Sequence, residues 1–273
     1  MRNVLNIAHR GARSLAPENT IAAARKGMEV GADMWELDVA VTADGKLIVF
    51  HDDSLARTTN AQQVFPDRAP WTFTTFTLDE LRRLDAGSWF VESDPFGQIA
   101  AGAVTEAELA AYPGEPIPTL REALIFSKEQ NWCANVELKR LPPPMEHFPV
   151  VEHVLALIDA LDMGDCAIVS SFNHDWLRQV RAHNPRIKLQ ALVGYWNTEP
   201  LEWDHLEFRT YNPRYTLIDE GRIGALKELG IHVIPWVVNE EEDMKRFIAA
   251  GAAGIFTDFP QRLAVLLQQE GTG

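Results

Sequence analysis

Short apolar runs alternate along this chain with stretches whose apolar positions recur every three or four residues. Runs of the first kind read as strands buried on both faces. They predict strands at Val4–Ala8, Met34–Val41, Ala134–Leu138, Ala167–Ser170, Lys188–Leu192, Phe208–Tyr211, His232–Val237 and Gly254–Thr257. Stretches of the second kind predict helices over Asn19–Val30 (with Asn19 as its cap), Thr119–Lys128, Val151–Leu161, His174–His183, Gly224–Leu229, Glu240–Ala250 and Pro260–Gln269. Strand–helix alternation implies a parallel sheet wrapped by helices. Eight strands in 273 residues fit a closed (β/α)8 barrel, and an open doubly wound sheet fits the alternation nearly as well.

Two places break the alternation. Ala43-Asp44-Gly45-Lys46 reads as a hairpin turn that folds Leu47–Phe50 back along Glu36–Val41. It returns His51 toward the strand end that carries Glu36 and Asp38. Residues 60 to 116 then form a long excursion with a helical piece at Leu78–Leu84. A structureless loop of that length is implausible in a compact domain, so the segment is expected as a small inserted subdomain over the barrel mouth, within a single domain of residues 1–273.

Composition narrows the function. A chain 46% hydrophobic and 23% charged is globular, and a formal charge of −14 argues against broad binding to nucleic acid or anionic membrane. No apolar run reaches the roughly 18 residues that span a bilayer, and the first residues enter a strand without a leader pattern, so a soluble cytoplasmic protein is expected. The cysteines, Cys133 and Cys166, sit at the mouths of two apolar runs and are expected as buried free thiols rather than a disulfide.

The chemistry lies near the N-terminus: Ala8-His9-Arg10-Gly11, Pro17-Glu18-Asn19-Thr20, Glu36-Leu37-Asp38-Val39 and His51-Asp52. Glu36 and Asp38 are two apart, so a strand projects them to one face. Glu137 and Lys139 repeat that spacing in Asn135-Val136-Glu137-Leu138-Lys139. Three carboxylates converging on one barrel rim would repel: a like-charged pair at about 4 Å costs roughly 4 kcal/mol at an effective dielectric of 20. A hard dication turns that cost into binding, and an all-oxygen set suits Mg2+ or Ca2+. Residue chemistry alone therefore reaches a metal-dependent hydrolase of a phosphate ester.

These motifs, together with Ile117-Pro118-Thr119-Leu120, Trp236-Val237-Val238-Asn239 and Thr257-Asp258-Phe259-Pro260, occur in an order that resembles the glycerophosphodiester phosphodiesterase family, from residue 4 to about 265. The resemblance implies the (β/α)8 (TIM) barrel and the insertion. It also implies hydrolysis of a glycerophosphodiester to sn-glycerol 3-phosphate and an alcohol. It assigns Glu36, Asp38 and Glu137 to the metal, His9 and His51 to acid–base catalysis, and Arg10 and Lys139 to the phosphate. Glu18 either holds the pocket together or touches substrate. Phe172 and Trp236 form an apolar wall against glycerol or are core. Asp52 orients His51 or caps a turn, and Asp258 caps the last helix or pins a strand. The order of acid and base, the nucleophile (water or the glycerol 2-hydroxyl) and the oligomeric state stay open. Other readings are a lysophospholipase D-like hydrolase, with its groove lined by Phe65, Trp71, Phe73, Phe76, Trp89, Phe90 and Phe96, and a silent barrel that binds a phosphorylated ligand.

Overall fold

A computed structural model describes residues 4–195 and 206–270. The strands are β1 (Leu5–Ala8), β2 (Met34–Val41), β3 (Leu47–Val49), β4 (Cys133–Leu138), β5 (Ala167–Ser171), β6 (Lys188–Val193), β7 (Thr210–Pro213), β8 (His232–Val233) and β9 (Gly254–Thr257). Hydrogen-bonded neighbours run β8-β7-β6-β5-β4-β2-β1-β9, all parallel, and β3 lies antiparallel on β2. Ala253 N–H donates to Val233 O at 2.8 Å and Phe256 N–H to Pro235 O at 3.0 Å, which joins the two ends of the sheet into a barrel. The closed (β/α)8 architecture replaces the open-sheet alternative.

The departures from the expected elements have local causes. The eighth strand is short because Pro235 has no N–H to give the ladder. The seventh starts at Thr210 rather than Phe208, since the N–H groups of Glu207 and Phe208 donate to the Tyr211 hydroxyl at 2.7 and 3.1 Å instead of to a strand. The first helix, Ile21–Glu29, is capped by Thr20, whose hydroxyl accepts from Ala23 N–H at 3.1 Å. The expected Asn19 cap is therefore corrected by one residue, and Asn19 is released for another role. Residues 60–116 hold four short helices, Ala61–Val64, Leu78–Leu81, Ser88–Ser93 and Glu106–Ala111.

Strand parity decides what each side of the barrel wall receives. On β2 every residue is buried. Trp35, Leu37 and Val39 join the apolar layer under the helices, with Trp35 stacked at 6.5 Å on Trp132. Met34 joins Ile7, Ile168, Ile234 and Phe256 in an apolar plug inside the barrel. Above it lies a polar layer. Asn135 and Asn212 donate to the Gln190 carbonyl at 2.7 and 2.8 Å, and Ser170 donates to Asn135 at 2.6 Å. Packed interiors of this kind fill the barrel and leave the C-terminal rim for chemistry.

The two cysteines contradict the free-thiol expectation. Cys133 opens β4 and Cys166 immediately precedes β5, and the register Ala134↔Ala167 sets them opposite each other, so they form a disulfide across 4.7 Å between Cα atoms. The pairing was invisible while the two strands were not known to be neighbours.

Candidate functional site

The turn after β1 builds the first corner. Arg10 and Gly11 both have left-handed backbones, at φ 56° and 80°. Gly11 is required there, since a Cβ would lie 2.6 Å from the Ala23 backbone. Arg10 has no such licence, and a side chain held in that conformation marks a backbone fixed by its surroundings. The turn aims Arg10 N–H at Glu36, 2.9 Å from Oε2, and the Arg10 O accepts Asn19 N–H at 3.0 Å.

Glu36 and Asp38 on β2 and Glu137 on β4 converge because the register pairs Asp38 with Glu137. One carboxylate oxygen of each lies within 4.8 Å of the others. The Glu36 Oε1 atom is buried with no hydrogen-bond partner. Burial and the charges of Asp38 and Glu137 push Glu36 well above the usual carboxylate range, and burial with Asp38 pushes Glu137 up to about 7. Asp38 is pulled down against its burial by Lys139, His51 and Arg10, and by a bond from Asn19. An orphaned buried oxygen among crowded acids is the environment a cation relieves, and the all-oxygen donor set fits a hard divalent ion.

Cations surround the cluster. Lys139 Nζ lies 3.3 Å from Asp38 Oδ1 and donates to His51 O at 3.0 Å, which ties the returned hairpin to the acids. Arg10 Nε lies 3.4 Å from Asp38 Oδ2. Asn19, read from the sequence as a helix cap, instead donates to Asp38 Oδ2 at 2.8 Å and accepts Asp38 N–H at 3.3 Å. Asn19 holds a left-handed backbone at φ 57°, which the Asn side chain tolerates better than most.

Each histidine has a carboxylate on Nδ1. His9 meets Asp258 at 2.7 Å and His51 meets Asp52 at 2.6 Å. Each aspartate accepts a hydrogen bond from Nδ1–H, which leaves Nε2 as the acceptor nitrogen of the ring. Asp258 also accepts from Asn239 Nδ2 at 2.8 Å, so it ties the end of β9 to its neighbour β1, the strand-pinning role of the two read from the sequence. Glu18 is buried and accepts from Arg10 at 2.9 Å, Arg13 at 2.7 Å and Arg57 at 2.7 Å, which holds its carboxyl well below the usual range despite burial. Arg13 and Arg57 escaped sequence reasoning, and Asn239 entered it only as part of a motif, without a role. An isolated arginine in a loop carries no local signal of the carboxylate it will meet.

Phe172 after β5 and Trp236 after β8 come together on the same rim, ring centroids 5.5 Å apart, with Tyr195 after β6 stacked edge-on at 4.8 Å from Phe172. Both expected rings are half-buried rather than core.

Comparison with known proteins agrees with this geometry. A model of the glycerophosphoryl diester phosphodiesterase family matches residues 9–262. The chain belongs to that family. It is 36% identical to the glycerophosphodiester phosphodiesterase of Caldanaerobacter subterraneus subsp. tengcongensis, over 98% of this chain and 99% of that one. A Bacillus subtilis glycerophosphodiester phosphodiesterase is 31% identical, over 94% of this chain and 84% of that protein. A solved Oleispira antarctica phosphodiesterase, in complex with the product sn-glycerol-3-phosphate, superposes with a TM-score of 0.75 at 28% identity, covering 96% of each chain. The protein is a phosphodiester hydrolase of this family, and among the described residues no helix is long and apolar enough to cross a membrane.

Proposed function

We propose that the protein hydrolyses small glycerophosphodiesters to sn-glycerol 3-phosphate and an alcohol, with His9 and His51 exchanging the proton at nucleophile and leaving group. The observation that carries the reading is the acidic triad, with Glu36 and Asp38 buried and Glu137 half-buried, and its orphaned Glu36 oxygen, bordered by His9 through Arg10 and by His51 through Lys139. The product complex of the Oleispira relative supports the choice of substrate.

Glu36, Asp38 and Glu137 would hold Mg2+ or Ca2+, which when bound supplies Lewis-acid polarisation of a phosphoryl oxygen. The remaining work falls to this chain's own groups. Arg10 grips non-bridging oxygens through a planar fork, and Lys139 adds a point charge. Asp258 and Asp52 fix the Nδ1–H tautomers, so Nε2 of each ring takes or gives the proton. Phe172 and Trp236 offer an apolar face to the glycerol carbons. Residues 60–116 act as a cap on this single barrel domain. Phe73, Phe76 and Phe90 of that segment are buried, which takes them out of any lipid groove and favours small diesters over lysolipids. A cytoplasmic location belongs to the same proposal. The Cys133–Cys166 bond is the observation against it, because disulfides persist mainly in oxidising compartments.

Release of sn-glycerol 3-phosphate from glycerophosphocholine, with and without EDTA, tests the reading. Chelation abolishes turnover, and Mg2+ or Ca2+ restores it. Undiminished turnover in EDTA together with an active His9→Ala variant would sink it.

A further inference from the structure

Arg57 lies outside every motif named above, yet its guanidinium is spent wholly on two carboxylates of the site. Nε and Nη2 donate to Asp52 at 2.5 and 3.0 Å, while Nη1 and Nη2 donate to Glu18 at 3.0 and 2.7 Å. We propose that Arg57 is a positioning residue for the hydrolysis, holding His51 through Asp52 while Glu18 anchors its other edge. The claim rests on the proposed role of His51 in proton transfer.

The reason lies in what Asp52 lacks. It is a neighbour of His51 in a loop, and the side chains are 27% and 32% exposed. A carboxylate so placed can rotate into solvent and leave the imidazole to turn with it. A bidentate guanidinium fixes the carboxylate plane as a point charge does not. Arg57 is itself fixed on its other edge by Glu18, which is 3% exposed in its side chain. Its guanidinium also lies 5.8 Å from the Trp89 ring centroid, in the helix Ser88–Ser93 of the long excursion.

Glu18 extends the connection. Arg10 and Arg13 share the Glu18 carboxylate with Arg57, and Arg13 Nη1 lies 3.5 Å from Asp258 Oδ1. A single run of alternating charge thus passes from His9 through Asp258, Arg13, Glu18, Arg57 and Asp52 to His51. The two imidazoles are its ends. Neither end can turn without displacing a carboxylate that the run holds.

A merely structural ion pair at this exposure predicts something different. The loss of such a pair leaves turnover alone. Positioning predicts a loss in kcat, since misplacement by about 1 Å costs up to 10²-fold. Arg57 is engaged by Asp52 and Glu18, so KM is expected to stay.

The test is steady-state hydrolysis of glycerophosphocholine at saturating Mg2+ or Ca2+ by Arg57→Ala, Arg57→Lys, His51→Ala and the Arg57→Ala/His51→Ala double variant. Arg57→Ala is expected to lose about 10–100-fold in kcat with KM changed less than about threefold and a thermal midpoint close to wild type. Guanidinium chloride at tens of millimolar, against matched sodium chloride, is expected to restore at least about fivefold, because the side chain is 41% exposed and the vacated fork is open to solvent. Arg57→Lys stays low, having charge without the fork. In the His51→Ala background the Arg57→Ala substitution costs less than about twofold, because both act on one step. Unchanged kcat in Arg57→Ala overturns the proposal, as does a loss that guanidinium leaves in place or that adds in full to His51→Ala. If His51→Ala itself keeps wild-type kcat, the acid–base reading falls and takes this one with it. If His51→Ala is crippled and Arg57→Ala is not, only the Arg57 proposal falls.

Discussion

His9 and Asp258 stand 249 residues apart in the chain and meet in a nearly dry corner, their side chains 14% and 8% exposed, whereas His51 and Asp52 are chain neighbours that meet at 32% and 27%. Both pairs close the same Nδ1 contact, at 2.7 and 2.6 Å. The first is held by tertiary structure: β1 pairs with β9, and Asn239 grips the far oxygen of Asp258. The second is local and wet, and it is held by a guanidinium. The electrostatics follow the burial. Burial, with Arg10 alongside, outweighs the pull of Asp258 and lowers His9 to about 4, so this ring is neutral at neutral pH. Asp258 is lowered to about 2 in spite of burial, by its bond to His9 and by Arg13. A buried pair has no solvent to replace a lost partner, and an exposed pair does.

Removing the aspartates should widen that contrast most. Asp258→Asn puts a donor against Nδ1 and disfavours the required tautomer in a corner too buried for water to replace the lost acceptor readily. It is expected to cost about 10³-fold in kcat, while Asp52→Asn costs about 10²-fold, because water can reach the more exposed His51 Nδ1 and replace the lost acceptor. Steady-state rates on one substrate decide the ranking, and equal losses would erase the distinction drawn from burial.

Acid titration probes the dry pair by itself. The folded-state value for His9, about 4, lies below its ordinary 6.5, so its contribution to stability is complete above pH 6.5 and is lost as pH falls through about 4. Asp258, at about 2 against an ordinary 3.8, adds stability that is complete above 3.8 and lost toward 2. Thermal midpoints measured in EDTA are therefore expected to fall for the wild type between pH 6.5 and 4, and less for His9→Gln, so the gap between the two closes on acidification. Parallel curves over that window would place a freely protonating imidazole in the corner.

The smallest effect on activity is expected at the far end of the barrel. Cys133 and Cys166 lie where β4 and β5 begin, while both histidine pairs lie at strand ends. Reducing this bond, which closes a loop of sequence separation 33, should lower stability by about 3–4 kcal/mol and leave kcat within about twofold. Chemical denaturation and rates on reduced and oxidised protein check it. A matching loss of kcat would mean that the two ends of the barrel are coupled.

What the amino-acid order settled by itself was everything governed by short periods. Alternation placed Glu36 and Asp38 on one face and Trp35, Leu37 and Val39 on the other, because strand parity is a property of neighbours. The hairpin at residues 43–46 returned His51 toward the end of β2 that carries Asp38, and its contact with Asp52 is one residue long. The strand–helix alternation was equally local, and it could not choose between a closed and an open sheet. That choice needed the bonds from Ala253 and Phe256 that join the last strands. Strand pairing and loop packing put Asp258 on His9, set Cys133 against Cys166, and gathered Arg10, Arg13 and Arg57 on Glu18. Asn19 shows the limit most clearly. It looked like a helix cap on local grounds, and only the packed barrel revealed Asp38 as its partner. Periodicity fixes which way a side chain faces; which group stands opposite depends on strands that meet only when the chain has folded.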